Sequence, residues 1–255
     1  MNIMDQDLLK AILHIAERMT ESGAEISRVE ECIIRICKAY QCRHVDVYAT
    51  TANIIVTVET AERIPLTQHR RISATGTDID RLDRLNDLAR YVVDHTPETA
   101  ELRRRLDEIE ARPRTPQPLI MLCYSIIPAA FCLLFGSRSP VECLFAGLIG
   151  FVLGLLIMLF ERTKVNKIFA RFLCSLVTAF LVKGLMLLHL ITCPDYIIIG
   201  NIMTLIPGVG FTNALRDLFV GDMFTGTIRT VEAVLLAIAI AVGFAIPDLL
   251  VGGLL

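Results

Sequence analysis

Apolar side chains follow short periods in the first 110 residues of the chain and long uninterrupted runs after that. Within 4–20 and again within 25–40, the apolar positions recur at helical spacing. Gly23, in the ESGAE segment between them, is typical of a helix end. Two amphipathic helices are therefore expected at the start of the chain.

The following segments change period. HVDVYAT alternates and IIVTVET is rich in β-branched residues, so a hairpin is expected with Thr51–Asn53 as its tight connection. QHRRISAT offers a third strand. A cap at Thr77 or Asp78 predicts a helix over 79–95, and Pro97 predicts the start of another.

The apolar runs that follow are long enough to cross a membrane. A bilayer core about 30 Å thick needs roughly 20 apolar residues in a helix. The second half of the chain supplies five such segments. The predicted spans are 119–136, 141–160, 170–191, 195–215 and 231–254.

Charge divides the chain in the same way. Residues 1–118 hold 17 Lys or Arg and 20 Asp or Glu, whereas 119–255 hold 8 and 7. Three prolines between 113 and 118 rule out a continuous regular helix at the boundary. The sequence predicts a cytoplasmic α+β domain over 1–111, a Pro-rich linker over 112–118 and an α-helical bundle of about five transmembrane helices over 119–255.

The distribution of Lys and Arg predicts the orientation, because short cytoplasmic loops carry an excess of both. Basic residues precede the first span and lie between the second and third, whereas TCPD between the third and fourth has none. The N-terminal domain is expected in the cytoplasm and the C-terminus outside, in a bacterial plasma membrane.

Several classes of function lack the residues they need. A net charge of −2 and a pI near 6.2 offer no basic surface for nucleic acid. There is no GxSxG, HExxH or Walker loop, so no catalytic residue is predicted and the protein is not expected to be an enzyme. Cys32, Cys37 and Cys42 form no CxxC pair, and neither a metal nor a cofactor is predicted.

The fourth span interrupts itself in LIPGVGFTNALRD, residues 205–217. Proline frees a backbone carbonyl in the preceding turn, and such a break in a membrane survives where it is buried in protein or lines a wet cavity. A restarted helix with free amides near Phe211, Thr212 and Asn213 would suit a carboxylate. The alternative is a passive proline kink. The predicted substrate-binding residues here are Asn201, Pro207, Gly208, Gly210, Thr212 and Asn213.

Ionisable residues in or beside the spans are further candidates, because charge within a membrane is costly. Lys183 lies deep in the third span, with Glu142 and Asp195 as expected partners. An anion-binding lysine and a structural ion pair both remain open. The predicted coupling or gating residues are Arg216, Asp217, Glu142 and Asp222. In the second span, the GxxxG pair Gly150 and Gly154 is expected to serve helix packing.

GAEISRVE, at the start of the second helix, concentrates charge in the N-terminal domain. Gly23, Glu25, Arg28 and Glu30 form this candidate motif. The alternative is a surface ion pair between Glu25 and Arg28, spaced i,i+3.

Three stretches together resemble the threonine/serine exporter family of bacterial and fungal membrane proteins. They are SGAEISRVEECI at 22–33, RRISATGTDIDRLDRLNDLAR at 70–90 and LIPGVGFTNALRDLFVGDMFTG at 205–226. The resemblance extends over essentially the whole chain and implies a cytoplasmic domain, membrane spans and export of small hydrophilic metabolites. It supplies no catalytic residue.

Longer members of this family carry about twice as many spans in one chain. The resemblance therefore implies the larger component of a split exporter, with a smaller membrane protein as partner and an oligomeric assembly. Threonine and serine are the expected substrates. A bacterial split pair of this kind is associated with succinate, so a dicarboxylate remains open, as does a membrane-anchored enzyme or sensor.

Overall fold

A computed structural model describes residues 4–73, 76–113, 115–163 and 165–251, apart from the side chain of Val251. The chain divides into two units. The N-terminal unit comprises the residues up to Arg112 together with Thr212–Ile228. The helical unit comprises Pro113–Phe211 and the chain from Arg229 onward.

The N-terminal unit has an α+β fold. Its helices pack on an antiparallel sheet of order β1-β2-β3, and Val47 and Gln68 on the outer strands both pair with Val56 in the centre. The elements in this part of the chain are α1 (Gln6–Glu21), α2 (Ile26–Ala39), β1 (His44–Ala49), β2 (Asn53–Glu59), β3 (Pro65–Arg71), α3 (Ile79–His95) and α4 (Thr99–Glu110). The predicted hairpin is confirmed. The third strand begins earlier than the sequence suggested, because it pairs along the whole of β2.

Local signals set the ends of these helices. The Asp5 carboxylate accepts a hydrogen bond from the amide of Leu8 at 2.7 Å, and Asp78 accepts one from Arg81 at 3.0 Å. Gly23 lies in the connection between α1 and α2 and has a φ of +94°. A Cβ at this position would lie 2.8 Å from the carbonyl oxygen of Gly76. A side chain at this position would therefore be strained by both conformation and contact.

The remaining helices are mostly apolar. They are α5 (Gln117–Leu134), α6 (Pro140–Arg162), α7 (Lys167–Leu187), α8 (Pro194–Leu205), α9 (Gly208–Val220) and α10 (Met223–Val251). Within the described residues, four of them (α5, α6, α7 and α10) are long and apolar enough to span a membrane, and the bent pair α8 and α9 raises the number to as many as five. The chain is therefore a mostly helical protein of the membrane-spanning type with a small sheet near its N-terminus.

Glycines allow α6 and α8 to approach α5 closely. A Cβ on Gly150 of α6 would lie 2.3 Å from the carbonyl oxygen of Tyr124 and 2.6 Å from Cγ of Pro128. A Cβ on Gly154 would lie 2.7 Å from the Tyr124 ring, and one on Gly200 of α8 would lie 2.5 Å from the carbonyl oxygen of Pro128. The packing role predicted for Gly150 and Gly154 is confirmed.

Candidate functional site

The break in the fourth span lies where the sequence predicted it. Helix α8 ends at Leu205, Ile206 is extended, and α9 begins at Gly208, with the two helices bent by 54°. The restart comes earlier than expected. The amide of Phe211 donates to the carbonyl of Pro207 at 2.9 Å, so the expectation of a free donor at Phe211 is wrong. The amide of Gly208 donates to the carbonyl of Ile206 at 2.9 Å, so the first-turn amides of α9 that could serve a ligand are those of Val209 and Gly210.

Asn201 on α8 is fully buried within the helical unit, with 0% of its surface exposed. Its Nδ2 donates to the carbonyl of Ile197 at 2.9 Å and to that of Ala146 at 3.4 Å. No donor among the described residues reaches its Oδ1. A buried acceptor without a partner is costly and needs an explanation, such as a bound molecule.

Thr204 adds a second acceptor one turn further along α8. Its Oγ1 is buried, and again no partner is found for it in the part of the chain that the structure describes. Positions 201 and 204 share a helix face, and Pro207 has no N–H to offer the carbonyl of Met203. The end of α8 thus carries hydrogen-bond acceptors, and the start of α9 carries amide donors. Sequence reasoning did not include Thr204, although its spacing from Asn201 was visible.

Lys183 has a different partner from those predicted. Its Nζ lies 2.9 Å from Oδ1 of Asp248 on α10, and the expected pairing with Glu142 or Asp195 is wrong. Gly243 explains the difference, because a Cβ there would lie 2.7 Å from the carbonyl oxygen of Phe172, so α10 packs directly against α7. The Lys183 side chain is 16% exposed and that of Asp248 is 67% exposed.

Glu142 lies in the first turn of α6 and is 4% exposed. Its Oε2 accepts a hydrogen bond from the Ser137 hydroxyl at 2.6 Å, and its Oε1 accepts one from the amide of Cys193 at 2.9 Å. Ser137 belongs to the connection between α5 and α6, and Cys193 directly precedes α8. The carboxylate therefore joins two interhelical connections.

The GAEISRVE motif contacts the segment that follows the break. Oε1 of Glu25 lies 2.7 Å from Nη1 of Arg216 on α9, and its Oε2 lies 3.6 Å from Nε of Arg28. All three residues belong to the N-terminal unit. The predicted Glu25–Arg28 pair exists, but the closer partner of Glu25 comes from a distant part of the sequence.

Glu30, in the same motif, accepts a hydrogen bond from the amide of Ala49 at 2.8 Å. Burial raises the pKa of Glu30, the Ala49 amide opposes this shift, and the negative charge of Asp222 adds to it. Asp222 itself accepts a hydrogen bond from the amide of Thr225 at 3.1 Å, in the manner of a helix cap at the start of α10.

The structure separates the predicted site residues into groups. Asn201, Pro207, Gly208 and Gly210 lie in the helical unit around the break. A second group lies in the N-terminal unit: Thr212, Asn213, Arg216, Asp217 and Asp222. Asp217 is buried and Thr212 is exposed. Within the described ranges, no three His, Cys, Asp or Glu side chains are placed to hold a metal ion.

Known proteins match most of the chain. Residues 10–247 match the sequence family described as "Putative threonine/serine exporter". The "Probable succinate transporter subunit YjjP" of Klebsiella aerogenes is 24% identical over 228 residues, which cover 88% of this chain and 86% of that protein. No solved structure matches the chain.

Proposed function

Because the chain belongs to the threonine/serine exporter family, we propose that it is one component of a secondary exporter for small carboxylate metabolites, most directly threonine and serine. The family consists of transporters, and the chain is not an enzyme. The helix break supports transport through the membrane part, because unwound backbone within a membrane favours a binding site. Asn201 carries the proposal, since its buried amide oxygen has no partner among the described residues.

The two sides of the break suit an amino acid. The buried oxygens of Asn201 and Thr204 have no hydrogen-bond partner among the described residues, and an ammonium or hydroxyl group could donate to them. The first-turn amides of Val209 and Gly210 suit a carboxylate, since helix N-termini favour anions. Threonine and serine carry all three of these groups. Asn201 and Pro207 are six positions apart, which is about 9 Å along a helix and within reach of one small molecule.

Succinate is the second candidate, because the relative from Klebsiella aerogenes is named for it. A dicarboxylate could use the amides at the start of α9. The Thr204 hydroxyl could donate to an ionised carboxylate, but the dicarboxylate supplies no donor for Oδ1 of Asn201, so a bound water or proton would have to bridge to that oxygen.

The assembly we propose has a second membrane subunit. The relative is named as a subunit, and the four or five spans found within the described residues are few for a complete pathway. A smaller membrane protein would supply the remaining helices in an oligomer. We further propose a bacterial plasma-membrane location with the N-terminal unit in the cytoplasm and the C-terminus outside, as the basic loops indicate.

Counterflow tests the function directly. The chain and its partner subunit would be reconstituted in vesicles loaded with unlabelled serine, threonine or succinate, and uptake of the same labelled compound would be followed. We expect serine and threonine to accumulate transiently above protein-free vesicles. Accumulation of succinate alone would select the second candidate, and no accumulation of any of the three would reject the transport proposal.

A further inference from the structure

Glu142 is a buried carboxylate whose partners are neutral. Among the described residues, no Lys, Arg or His side chain lies close enough to Glu142 to form an ion pair. Lys183, by contrast, is paired with Asp248. Two neutral donors satisfy Glu142 instead, the Ser137 hydroxyl at 2.6 Å and the Cys193 amide at 2.9 Å. A carboxylate enclosed by neutral groups can lose its charge without breaking an ion pair.

The ionisable groups around Glu142 fall into three kinds. The thiol of Cys132 on α5 interacts with Glu142 and with the thiol of Cys143 on α6. At the same end of the helical unit, Arg138 and His189 lie in connections and Asp195 lies in the first turn of α8, and all three are exposed. Lys183 and Asp248 form their own pair. Glu142 is therefore the acidic side chain at this end that is enclosed by protein.

We propose that Glu142 binds the proton whose movement drives export, and that the state of this carboxyl is transmitted to α8. The inference rests on the proposed function. It goes further by assigning the residue that binds the coupling proton.

The hydrogen bonds decide which oxygen takes the proton. Oε1 faces an amide N–H, which can only donate, so a proton there would oppose the Cys193 amide. Oε2 faces a hydroxyl, which can turn and accept. Protonation therefore forms an O–H bond at Oε2 that donates to the Ser137 Oγ, while the Ser137 hydrogen turns to the sulfur of Cys132, which lies within hydrogen-bond distance. The proton comes from water at the end of the helical unit where Glu142 lies. Coupling requires that Glu142 later releases this proton toward the opposite side of the membrane.

The change reaches the broken helix through Cys193. Hydrogen bonds to an ionised acceptor are roughly twice as strong as those between neutral groups. Loss of the charge on Glu142 therefore weakens its hold on the Cys193 amide, directly before the first turn of α8. The same helix carries Asn201 and Thr204 and ends at the break. Proton binding at Glu142 thus loosens the outer end of the helix that holds the proposed substrate groups.

Glu142→Gln imitates the protonated form, because its amide can donate to Ser137 and still accept from Cys193. In the reconstituted vesicles we expect transport driven by a pH gradient to fall about tenfold or more, within the usual range of coupling between sites. Counterflow without a gradient should fall much less, because exchange of substrate requires no net movement of the proton. Asp195→Asn, which neutralises an exposed carboxylate at the same end, should change neither activity. Gradient-driven transport that survives in Glu142→Gln would overturn the proposal, as would equal loss of both activities.

A second measurement does not depend on transport. In infrared difference spectra of the purified full chain, acidification should produce a carboxyl C=O band that is absent in Glu142→Gln and retained in Asp195→Asn. Ser137→Ala removes the hydrogen-bond partner at Oε2 and should therefore shift the frequency of this C=O band. A band unchanged in Glu142→Gln would refute the assignment. If the wild-type protein in vesicles transports none of the three compounds, the proposed function is rejected. The infrared result then decides separately whether Glu142 binds a proton.

Discussion

Glu25 and Arg216 are 191 positions apart in the sequence and form an ion pair with 2.7 Å between Oε1 and Nη1. The Glu25 side chain is 14% exposed and the Arg216 side chain is 53% exposed. Glu25 is therefore held in the N-terminal unit while its partner comes from α9, which begins at the helix break. The pair connects the charged motif of α2 with the segment that follows the proposed substrate site.

Removal of this pair should have a small effect on stability and a larger one on transport. Because Arg216 is half exposed, we expect a coupling energy of up to about 1 kcal/mol in a double-mutant cycle of Glu25→Gln and Arg216→Gln. Counterflow should fall in both single variants and recover in part when the charges are exchanged, Glu25→Arg with Arg216→Glu. Arg35→Gln, which removes a local pair with Glu31 on α2, is the matched control. Additive effects in the cycle would show that the contact has no energetic role.

The raised pKa of Glu30 predicts an unusual pH dependence. Burial favours the neutral acid, so the folded state binds this proton more tightly than the unfolded state. The stabilising contribution is present below the ordinary carboxyl pKa and is lost as the pH rises through the raised value. Glu30→Gln should remove this component from the unfolding free energy measured against pH, whereas Glu31→Gln on the exposed side of α2 should not. Parallel curves for the wild type and Glu30→Gln would contradict the prediction.

Glycine substitutions should separate close packing from helix propensity. Gly150→Ala places a Cβ 2.3 Å from a backbone oxygen of α5, so the helices must move apart, at a cost of about 1–3 kcal/mol. Gly184→Ala on α7 meets nothing within 4 Å and should be neutral or stabilise by up to about 1 kcal/mol through helix propensity. Thermal unfolding in detergent measures both. A Gly150→Ala protein as stable as Gly184→Ala would rule out the close α5–α6 contact.

The hydroxyl of Thr204 should matter for transport and not for folding. Thr204→Val removes a buried oxygen that has no partner among the described residues, so its removal should not destabilise the protein. Counterflow of serine and threonine should fall about tenfold, equivalent to one lost hydrogen bond of about 1.4 kcal/mol. Thr178→Val is the control, because that hydroxyl donates to the carbonyl of Cys174 at 2.8 Å. Equal transport by the two variants would exclude Thr204 from the site.

Local signals in the sequence predicted much of this fold. The helix over 79–95 was predicted with its observed ends, because Asp78 caps it through the amide of Arg81. The sequence predicts a fifth membrane span over 231–254, whereas helix α10 begins at Met223. Arg229 and Glu232 interrupt the apolar run without interrupting the helix, and the cap at Asp222 sets the true start. A hydropathy pattern predicts the part of a helix that lies in the lipid, and the helix itself can extend beyond that part.

Contacts between distant segments could not be predicted in the same way. The partner of Lys183 depends on how α10 packs against α7, and the partner of Glu25 depends on where α9 lies in the N-terminal unit. Neither contact follows from the spacing of residues along the sequence. The break at Pro207 was predictable because proline and glycine act locally, whereas the unsatisfied oxygen of Asn201 emerged only from the packed helices.

The broken span is the central claim, and Pro207→Ala with Gly208→Ala tests it most directly. A Cβ at Gly208 meets nothing within 4 Å, so the change is sterically tolerated and should favour a continuous helix from α8 into α9. The measurement is counterflow of serine and threonine in reconstituted vesicles, beside Gly184→Ala as control. We predict loss of transport with normal membrane insertion. Transport at the wild-type rate would contradict the account and make the break a passive kink.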